Sequence, residues 1–250
     1  MDEISVLQGA EPFYVENGKV GVLISHGYTG SPQSMRYLAE GLAQAGFTVA
    51  LPRLKGHGTT SVDMATATAS DWIGDVEEAA AWLKKRCDIL FMAGLSMGGT
   101  LTLFMAGQHP DWFKGIIPIN AILSANNPDL ASLAYMRGAP SEVQGVGGDI
   151  KAPGVAELAY PVVPVATVKE LFALMKVTEE LLPRITCPAL IIASREDHIV
   201  PPINADTILQ RLPGTNKQIL WLENSYHVAT LDNDKDIIVQ RSIEFIHAHA

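Results

Sequence analysis

Residues 94–98 read Gly-Leu-Ser-Met-Gly, and this short stretch decides the fold. An apolar strand is predicted directly before it, over Asp88–Ala93, and a helix is predicted to begin at Met97. A Gly-x-Ser-x-Gly sequence between a strand and a helix is typical of a nucleophile elbow, a strained turn that exposes the serine hydroxyl above a sheet. The helix amino terminus would supply unpaired N–H groups beside Ser96, where an oxyanion can form.

The same region has a competing interpretation. Residues 88–107 form a long and largely apolar stretch with Gly-x-x-x-Gly spacing, a pattern that also occurs in membrane-spanning helices. Two adjacent glycines, Gly98 and Gly99, would weaken a helix at that point, and the first six residues are strand-like. We therefore favour the strand–turn–helix interpretation.

The composition fits one large α/β domain. The chain has 250 residues, of which 48% are hydrophobic, so it can bury a substantial core. Its net charge of −9 argues against nucleic acid and anionic membrane surfaces as partners, and we expect no stable membrane insertion. The acidic start, residues 1–3, lacks a secretory pattern, which makes the cytoplasm the default expectation. Cys87 and Cys187 match no metal or redox motif, so we expect them to be buried free thiols. We also expect that the protein binds no metal and no other cofactor.

Predicted strands and helices alternate over most of the chain, which indicates a mostly parallel sheet covered by helices on both faces. One helix is expected to begin at Pro32, and another after Ser70, which we predict as its N-cap. The predicted strands are Val20–Ser25, Phe47–Leu51, Asp88–Ala93, Ile116–Asn120, Ala189–Ser194 and Gln218–Leu222.

The alternation stops between residues 124 and 186, where the chain is rich in Ala, Pro and Gly. A structureless loop of this length would be unusual inside a compact domain. We therefore predict that residues 124–186, called the cap segment below, are inserted into an α/β core made of residues 1–123 and 187–250.

Two helices are predicted within the cap segment. The first covers Pro128–Arg137, with Asn127 as its N-cap. The second covers Val168–Leu182, preceded by a predicted capping box formed by Thr167 and Glu170. Its apolar side chains cover more area than one core-facing stripe requires. Part of this area could line an acyl tunnel, the alternative is that it simply holds the cap segment on the sheet, and the two roles are compatible.

A serine hydroxyl is too weakly acidic to attack an ester without a base. Among seven histidines, His227 follows the last predicted strand, and catalytic groups in parallel sheets lie beyond the carboxyl ends of strands. The acid is expected after the preceding strand; we predict Asp197, with Glu196 as the alternative. His198 is expected to be a bystander, because sequence neighbours rarely face each other. The resulting chain order is Ser96, Asp197, His227.

In this order and in its motifs the chain resembles the α/β-hydrolase superfamily, and more closely the bacterial monoacylglycerol lipases and related thermostable carboxylesterases. In this family, the oxyanion N–H groups come from the residue after a His-Gly pair and from the residue after the nucleophile. The resemblance therefore implies Tyr28 and Met97. Many relatives have glycine where Ser194 stands. The closer resemblance is carried by Pro52–Gly58, Gly94–Thr100, Glu157–Tyr160 and Asn224–Thr230.

The resemblance implies a serine ester hydrolase that cleaves monoacylglycerols or similar small esters through an acyl-enzyme. It also implies that Glu157 recognises glycerol, whereas a plain surface charge is the alternative for this residue. His57, between two glycines, is expected to shape its loop rather than bind a ligand. A general carboxylesterase, thioesterase or acyltransferase would use the same triad, and a non-catalytic receptor of the same fold could retain it.

Overall fold

The computed structural model of the protein describes residues 5–125, 127–145 and 148–250. It contains a seven-stranded sheet and a separate two-stranded hairpin. The strands are β1 (Phe13–Val15), β2 (Val20–Ser25), β3 (Thr48–Leu51), β4 (Ile89–Leu95), β5 (Gly115–Ile119), β6 (Glu142–Gln144), β7 (Val162–Pro164), β8 (Ala189–Ser194) and β9 (Lys217–Leu222). In the large sheet the order is β1-β3-β2-β4-β5-β8-β9. The β1–β3 pair is antiparallel and the other described pairs of this sheet are parallel.

Helices connect these strands. They are α1 (Gln33–Gln44), α2 (Ser61–Met64), α3 (Ala69–Lys84), α4 (Met97–Gln108), α5 (Pro128–Leu133), α6 (Val165–Leu181), α7 (Ile203–Arg211) and α8 (Lys235–His249). A 3₁₀ turn over Leu182–Arg184 follows α6. The cap segment, between β5 and β8, contains α5, the β6–β7 hairpin and α6.

Strand β4 shows how the sheet is buried on both faces. Leu90 and Met92 pack in the cluster that also includes residues of α3, α4, α6 and α7. Phe91 and Ala93 pack in the opposite cluster, with residues of α1 and α8. Because successive side chains of a strand point to opposite faces, a strand covered on both sides must be apolar throughout. The predicted fold class, a mostly parallel sheet between helices, is confirmed.

The membrane-helix interpretation of residues 88–107 is wrong. The stretch divides into strand β4 and helix α4, which has 12 residues. A helix needs about 20 apolar residues to cross a bilayer. Within the described residues, no helix has both the length and the apolarity required to span a membrane.

The predicted N-cap of α3 is corrected. Thr68, not Ser70, caps this helix: its hydroxyl accepts a hydrogen bond from the Asp71 N–H at 3.2 Å. The Asp71 carboxylate in turn accepts from the Thr68 N–H at 2.8 Å, which completes a capping box. Ser70 falls inside the first turn, because the reciprocal pair of Thr68 and Asp71 satisfies two end N–H groups that a cap at Ser70 would leave unpaired.

The predicted capping box of α6 does not form. The helix begins at Val165, earlier than predicted, with Pro164 at its N-cap position. The Thr167 hydroxyl donates to the Pro164 carbonyl at 2.9 Å, and the Glu170 carboxylate accepts from the Ala69 N–H at 3.2 Å. Both side chains are therefore used in other contacts of the helix and of the neighbouring α3.

Other local predictions had mixed outcomes. Asn127 caps α5 as predicted, accepting a hydrogen bond from the Leu130 N–H at 2.9 Å, but this helix ends at Leu133 rather than Arg137. Cys87 and Cys187 are free thiols, although each is only partly buried. Strands β1, β6 and β7 and helix α2 were not predicted, because three or four residues are too few to display a periodic pattern.

Candidate active site

The turn between β4 and α4 has the geometry of a nucleophile elbow. Ser96 has φ +57° and ψ −119°, a left-handed conformation that non-glycine residues rarely adopt. A Cβ atom built on Gly98 would lie 2.2 Å from the carbonyl oxygen of Ser25, and one on Gly94 would lie 2.1 Å from the carbonyl oxygen of Gly98. The flanking glycines therefore let the strand and the helix approach closely enough to form the turn.

The structure places His227 beside Asp197. The Nδ1 atom of His227 lies 2.8 Å from the Oδ2 atom of Asp197. The Oδ1 atom of Asp197 accepts hydrogen bonds from the N–H groups of residues 199 and 200, at 2.9 and 2.7 Å. Glu196, the alternative acid, instead pairs with the Lys151 ammonium at 3.0 Å. The carboxylate that can orient His227 is therefore Asp197.

Ser96, Asp197 and His227 line one cavity of about 350 Å³. Both the core and the cap segment contribute residues to the lining of this cavity. The lining from the core includes Gly27, Tyr28, Thr29, Leu95, Ile122, His198, Ile199, Pro201 and Val228, and the lining from the cap segment includes Ala125, Asn127, Leu130, Gln144, Glu157, Val163, Leu171 and Phe172. The three predicted residues thus meet at an apolar pocket of a size suited to a small ligand.

Tyr28 and Met97, the implied oxyanion donors, flank the serine. Met97 is the first residue of α4, so its N–H has no acceptor within the helix. A Cβ atom built on Gly27 would lie 3.3 Å from the Ser96 Cβ, which places the Tyr28 peptide close to the elbow. Across the described ranges, neither N–H donates to a protein acceptor. Both are available to a ligand oxygen.

The side chain of Tyr28 connects this loop to the cap segment. Its hydroxyl lies 2.5 Å from the Thr167 hydroxyl, in the first turn of α6. Burial raises the pKa of Tyr28 to about 12, while the hydrogen bond with Thr167 acts in the opposite direction. The phenol is therefore neutral near pH 7 and forms a hydrogen bond between two neutral groups.

Glu157 faces the cavity instead of bulk solvent. Burial raises the pKa of its carboxyl group to about 7, against the lowering effects of the nearby His227 and of the Ser34 hydroxyl. A Cβ atom built on Gly30 would lie 2.7 Å from the Glu157 Oε1 atom, so the glycine leaves room for the carboxylate. This position does not fit a plain surface charge.

The backbone on both sides of Glu157 is held by Gln33, at the start of α1. The Gln33 Nε2 atom donates to the Ala156 carbonyl at 3.2 Å, and its Oε1 atom accepts from the Leu158 N–H at 3.0 Å. One side-chain amide therefore brackets the residue that carries the carboxylate. These two hydrogen bonds were not predicted from the sequence, because a glutamine at the start of a helix has no distinctive pattern.

His57 and His26 support the loop below the oxyanion donors. The His26 Nε2 atom accepts from the Leu54 N–H at 3.1 Å, and the His57 Nδ1 atom lies 3.0 Å from the Lys55 carbonyl oxygen. Both rings are fully buried, and the His57 ring lies edge-on to Trp72. Burial lowers the pKa of His57 to about 4 and that of His26 well below its usual value. These neutral rings shape the loop.

Asn120 and Ser194 join the acid strand to the histidine loop. The Asn120 Nδ2 atom donates to the His227 carbonyl at 2.7 Å and to the Ser194 hydroxyl at 3.1 Å. The Ser194 hydroxyl donates to the Tyr226 carbonyl at 2.8 Å. Ser194 therefore adds a side-chain link that a glycine cannot make. A signal for Asn120 was available in the sequence: it is a polar residue at the carboxyl end of a predicted apolar strand.

Helix α6 contributes side chains both to the lining of the cavity and to the packing of the cap segment on the core. Leu171 and Phe172 line the cavity. Leu174 and Met175 belong to the buried cluster that covers the sheet, and α6 packs against α4. Leu171 takes part in both, because it lines the cavity and also belongs to the buried cluster.

The sequence matches the Hydrolase_4 family, described as serine aminopeptidase, S33, over residues 17–143 and 151–234. It is 54% identical to a thermostable monoacylglycerol lipase of Bacillus sp. (strain H-257), over 100% of this chain and 99% of the relative. It is 28% identical to a carboxylesterase of Bacillus subtilis (strain 168), over 94% of this chain and 96% of the relative.

A solved structure from work on LipS and LipT, two metagenome-derived lipolytic enzymes, has a TM-score of 0.97 and 61% sequence identity. It covers 98% of this chain and 100% of its own. These similarities confirm the α/β-hydrolase resemblance. The chain belongs to the Hydrolase_4 family, and it is a serine ester hydrolase with the α/β-hydrolase fold.

Proposed function

We propose that this enzyme hydrolyses monoacylglycerols to a fatty acid and glycerol through an acyl-enzyme on Ser96. The observation that carries the proposal is one cavity that contains Ser96, the His227–Asp197 pair and the carboxylate of Glu157. A relative that is 54% identical over the whole chain is named as a monoacylglycerol lipase, which supports the same substrate class.

In the first half of the reaction, the Ser96 hydroxyl attacks the ester carbonyl while His227 removes its proton. The Asp197 carboxylate holds the imidazole through Nδ1 and stabilises the imidazolium that forms. The N–H groups of Tyr28 and Met97 donate to the oxyanion of the tetrahedral intermediate. His227 then returns the proton to the glycerol oxygen as the C–O bond breaks, which leaves the acyl group on Ser96.

In the second half, water attacks the acyl-enzyme. His227 takes a proton from this water and returns it to the Ser96 oxygen when the second tetrahedral intermediate collapses. The fatty acid is released and the free serine is restored. An acyltransferase would follow the same steps with an alcohol in place of water. The ratio of hydrolysis to acyl transfer, measured in the presence of added glycerol, distinguishes the two activities.

Within the proposal, the cap segment provides the specificity. Leu171 and Phe172 supply an apolar wall for the acyl chain, and Glu157 accepts hydrogen bonds from the free glycerol hydroxyls. The Glu157 carboxyl group is ionised above a pH of about 7. A charged acceptor makes stronger hydrogen bonds than a neutral one, so above this pH Glu157 is a suitable group for a diol.

The experiment that tests the proposal compares two substrates on a Glu157→Ala variant, which removes the hydrogen-bond acceptor. Loss of a hydrogen bond to a charged group costs roughly 1.5–3 kcal/mol, so kcat/KM for a monoacylglycerol should fall about ten- to a hundredfold. A p-nitrophenyl ester of equal acyl length has no glycerol hydroxyls, and its kcat/KM should change little. Glu40→Ala, which removes an exposed carboxylate on α1, is the matched control.

Two results would contradict glycerol recognition by Glu157. Equal losses on both substrates would indicate general damage to the pocket. No loss on either substrate would mean that the carboxylate does not contact the glycerol group. In both cases the enzyme is better described as a general carboxylesterase.

A further inference from the structure

A carboxylate of the cap segment binds both loops of the proposed triad. The Oδ2 atom of Asp149 accepts a hydrogen bond from the His227 N–H at 3.1 Å and another from the His198 N–H at 3.1 Å. Its Oδ1 atom lies 2.8 Å from the Nδ1 atom of His198. The Asp149 side chain is only 13% exposed, so these contacts are largely shielded from water.

The two backbone N–H groups that Asp149 binds lie at or next to residues of the proposed triad. One is the N–H of His227 itself, and the other belongs to the peptide that directly follows Asp197. A single oxygen atom therefore sets the distance between the main chains that carry the acid and the base. This link is separate from the side-chain hydrogen bond between Asp197 and His227.

The attachment is reciprocal. Asp232, a buried residue after the histidine, accepts hydrogen bonds from the Lys151 N–H at 2.7 Å and from the Ala152 N–H at 2.9 Å. It also accepts from the Tyr226 N–H at 2.8 Å. Residues 149–152 of the cap segment are thus fastened to the histidine loop by one carboxylate from each side.

We propose that Asp149 is a positioning residue for the triad, which holds the acid loop and the histidine loop in register through its hydrogen-bonded Oδ2 atom. This inference rests on the proposed roles of Ser96, Asp197 and His227. Loops are the most mobile parts of a fold, and catalytic groups must be held to within about 0.5 Å of their working geometry. Hydrogen bonds from N–H groups to a shielded carboxylate are strong enough to supply that restraint.

Three substitutions of Asp149 separate its hydrogen bonds from its charge. In Asp149→Ala, both N–H groups of the two loops lose their acceptor. In Asp149→Asn, the amide oxygen can replace Oδ2 while the charge is lost. In Asp149→Glu, the charge remains but the longer side chain displaces the acceptor. Asp129→Ala, which removes an exposed carboxylate elsewhere in the cap segment, is the matched control.

The readouts are kcat and KM for a p-nitrophenyl ester, and the melting temperature. Asp149→Ala should lower kcat about 10- to 100-fold, because small misplacement of reacting groups is costly. KM should stay within about threefold, since Asp149 is not itself among the residues that line the pocket. Asp149→Asn should keep most of the wild-type kcat and Asp149→Glu should not, while Asp129→Ala should match wild type.

A spectroscopic measurement gives a second test that does not need turnover. In a Ser96→Ala background, the downfield proton resonance of the His227–Asp197 hydrogen bond should be retained with Asn at position 149 and broadened or lost with Glu or Ala. Wild-type kcat in Asp149→Ala would overturn the proposal. If Asp149→Ala fails to fold, the other two variants decide. A kcat of Asp149→Glu equal to or above that of Asp149→Asn would also overturn the proposal. Turnover by Ser96→Ala alone would instead contradict the proposed triad.

Discussion

The Nδ1 atom of His227 lies 2.8 Å from the Oδ2 atom of Asp197, where the two side chains are only 10% and 2% exposed. The adjacent acid, Glu196, is 53% exposed and forms an ion pair with Lys151. Two neighbouring carboxylates therefore have different environments. A shielded carboxylate both orients an imidazole and stabilises its cation. We therefore expect Asp197 to be the acid that orients His227, the proposed base for Ser96.

Substitution of the three residues tests this assignment. Ser96→Ala, His227→Ala and Asp197→Asn should each lower kcat by about 1,000-fold or more, and the effects should be strongly non-additive because the residues act as one unit. Glu196→Gln is the matched control and should retain near-wild-type kcat. The measurements are steady-state rates with a p-nitrophenyl ester and melting curves for each variant. Normal activity in Asp197→Asn together with lost activity in Glu196→Gln would reverse the acid assignment.

The cavity should select substrates by size. Its volume of about 350 Å³ lies at the low end of the range for ligand pockets, roughly 300–1,000 Å³. The pocket should admit one acyl chain and a small head group, so diacylglycerols and triacylglycerols should be poor substrates. We also expect no large rate increase when the substrate forms an oil–water interface. Comparable rates on a monoacylglycerol and an emulsified long-chain triacylglycerol would contradict this prediction.

The ionisation of Glu157 should affect stability in a defined pH window. Burial raises its pKa from 4.5 to about 7, so the folded protein favours the protonated form. The associated stabilisation is fully present below pH 4.5 and is lost as the pH rises through about 7. Glu157→Gln cannot ionise. The difference in melting temperature, Glu157→Gln minus wild type, should therefore become larger as the pH rises from 4.5 to above 7.

The control for this measurement is Glu40→Gln, which replaces an exposed carboxylate. Its melting temperature relative to wild type should be nearly flat across the same pH range. A flat or falling difference for Glu157→Gln would mean that the carboxyl group is well solvated in the folded protein.

The buried ring of His57 should make the fold sensitive to acid. Its pKa is lowered from 6.5 to about 4, so the folded protein holds the ring neutral. The stabilisation is present above pH 6.5 and is lost as the pH falls through about 4. At one pKa unit per 1.36 kcal/mol, the loss is on the order of 3 kcal/mol. Urea unfolding at several pH values should show a shallower pH dependence for His57→Asn than for wild type.

An exposed histidine near the carboxyl terminus, His247, provides the comparison. His247→Asn should leave the pH dependence of the unfolding free energy close to that of wild type. Some dependence should remain in His57→Asn, because burial also lowers the pKa of His26. An unchanged slope in His57→Asn would show that protonation of this ring does not contribute to acid unfolding.

Long apolar elements were predictable from the sequence, whereas short elements and the starts of helices α3 and α6 were not. Strands β2 and β8 have the predicted bounds, because six consecutive apolar or small residues can be buried only inside a sheet covered on both faces. The start of α3 was misplaced, because Thr68, Ser70 and Asp71 all suit a helix start. The choice between them depends on which pair of side chains and N–H groups meets in the folded turn.

The sequence by itself determined the elbow around Ser96, the parallel sheet, the order of the three catalytic candidates and the family. These features depend on local backbone preferences and on the periodicity of apolar residues, which adjacent residues encode. Only the tertiary structure decided that Asp197 and not Glu196 pairs with His227, and that Glu157 faces the cavity.

The tertiary structure alone also revealed the role that we propose for Asp149. This residue is 78 positions away from His227 in the chain, and no local pattern indicates their contact. Such contacts arise because the carboxyl ends of neighbouring parallel strands bring distant loops to one edge of the sheet, where the cap segment covers them. Local sequence sets the conformation of each loop. The packing of the whole chain sets which side chain each loop meets.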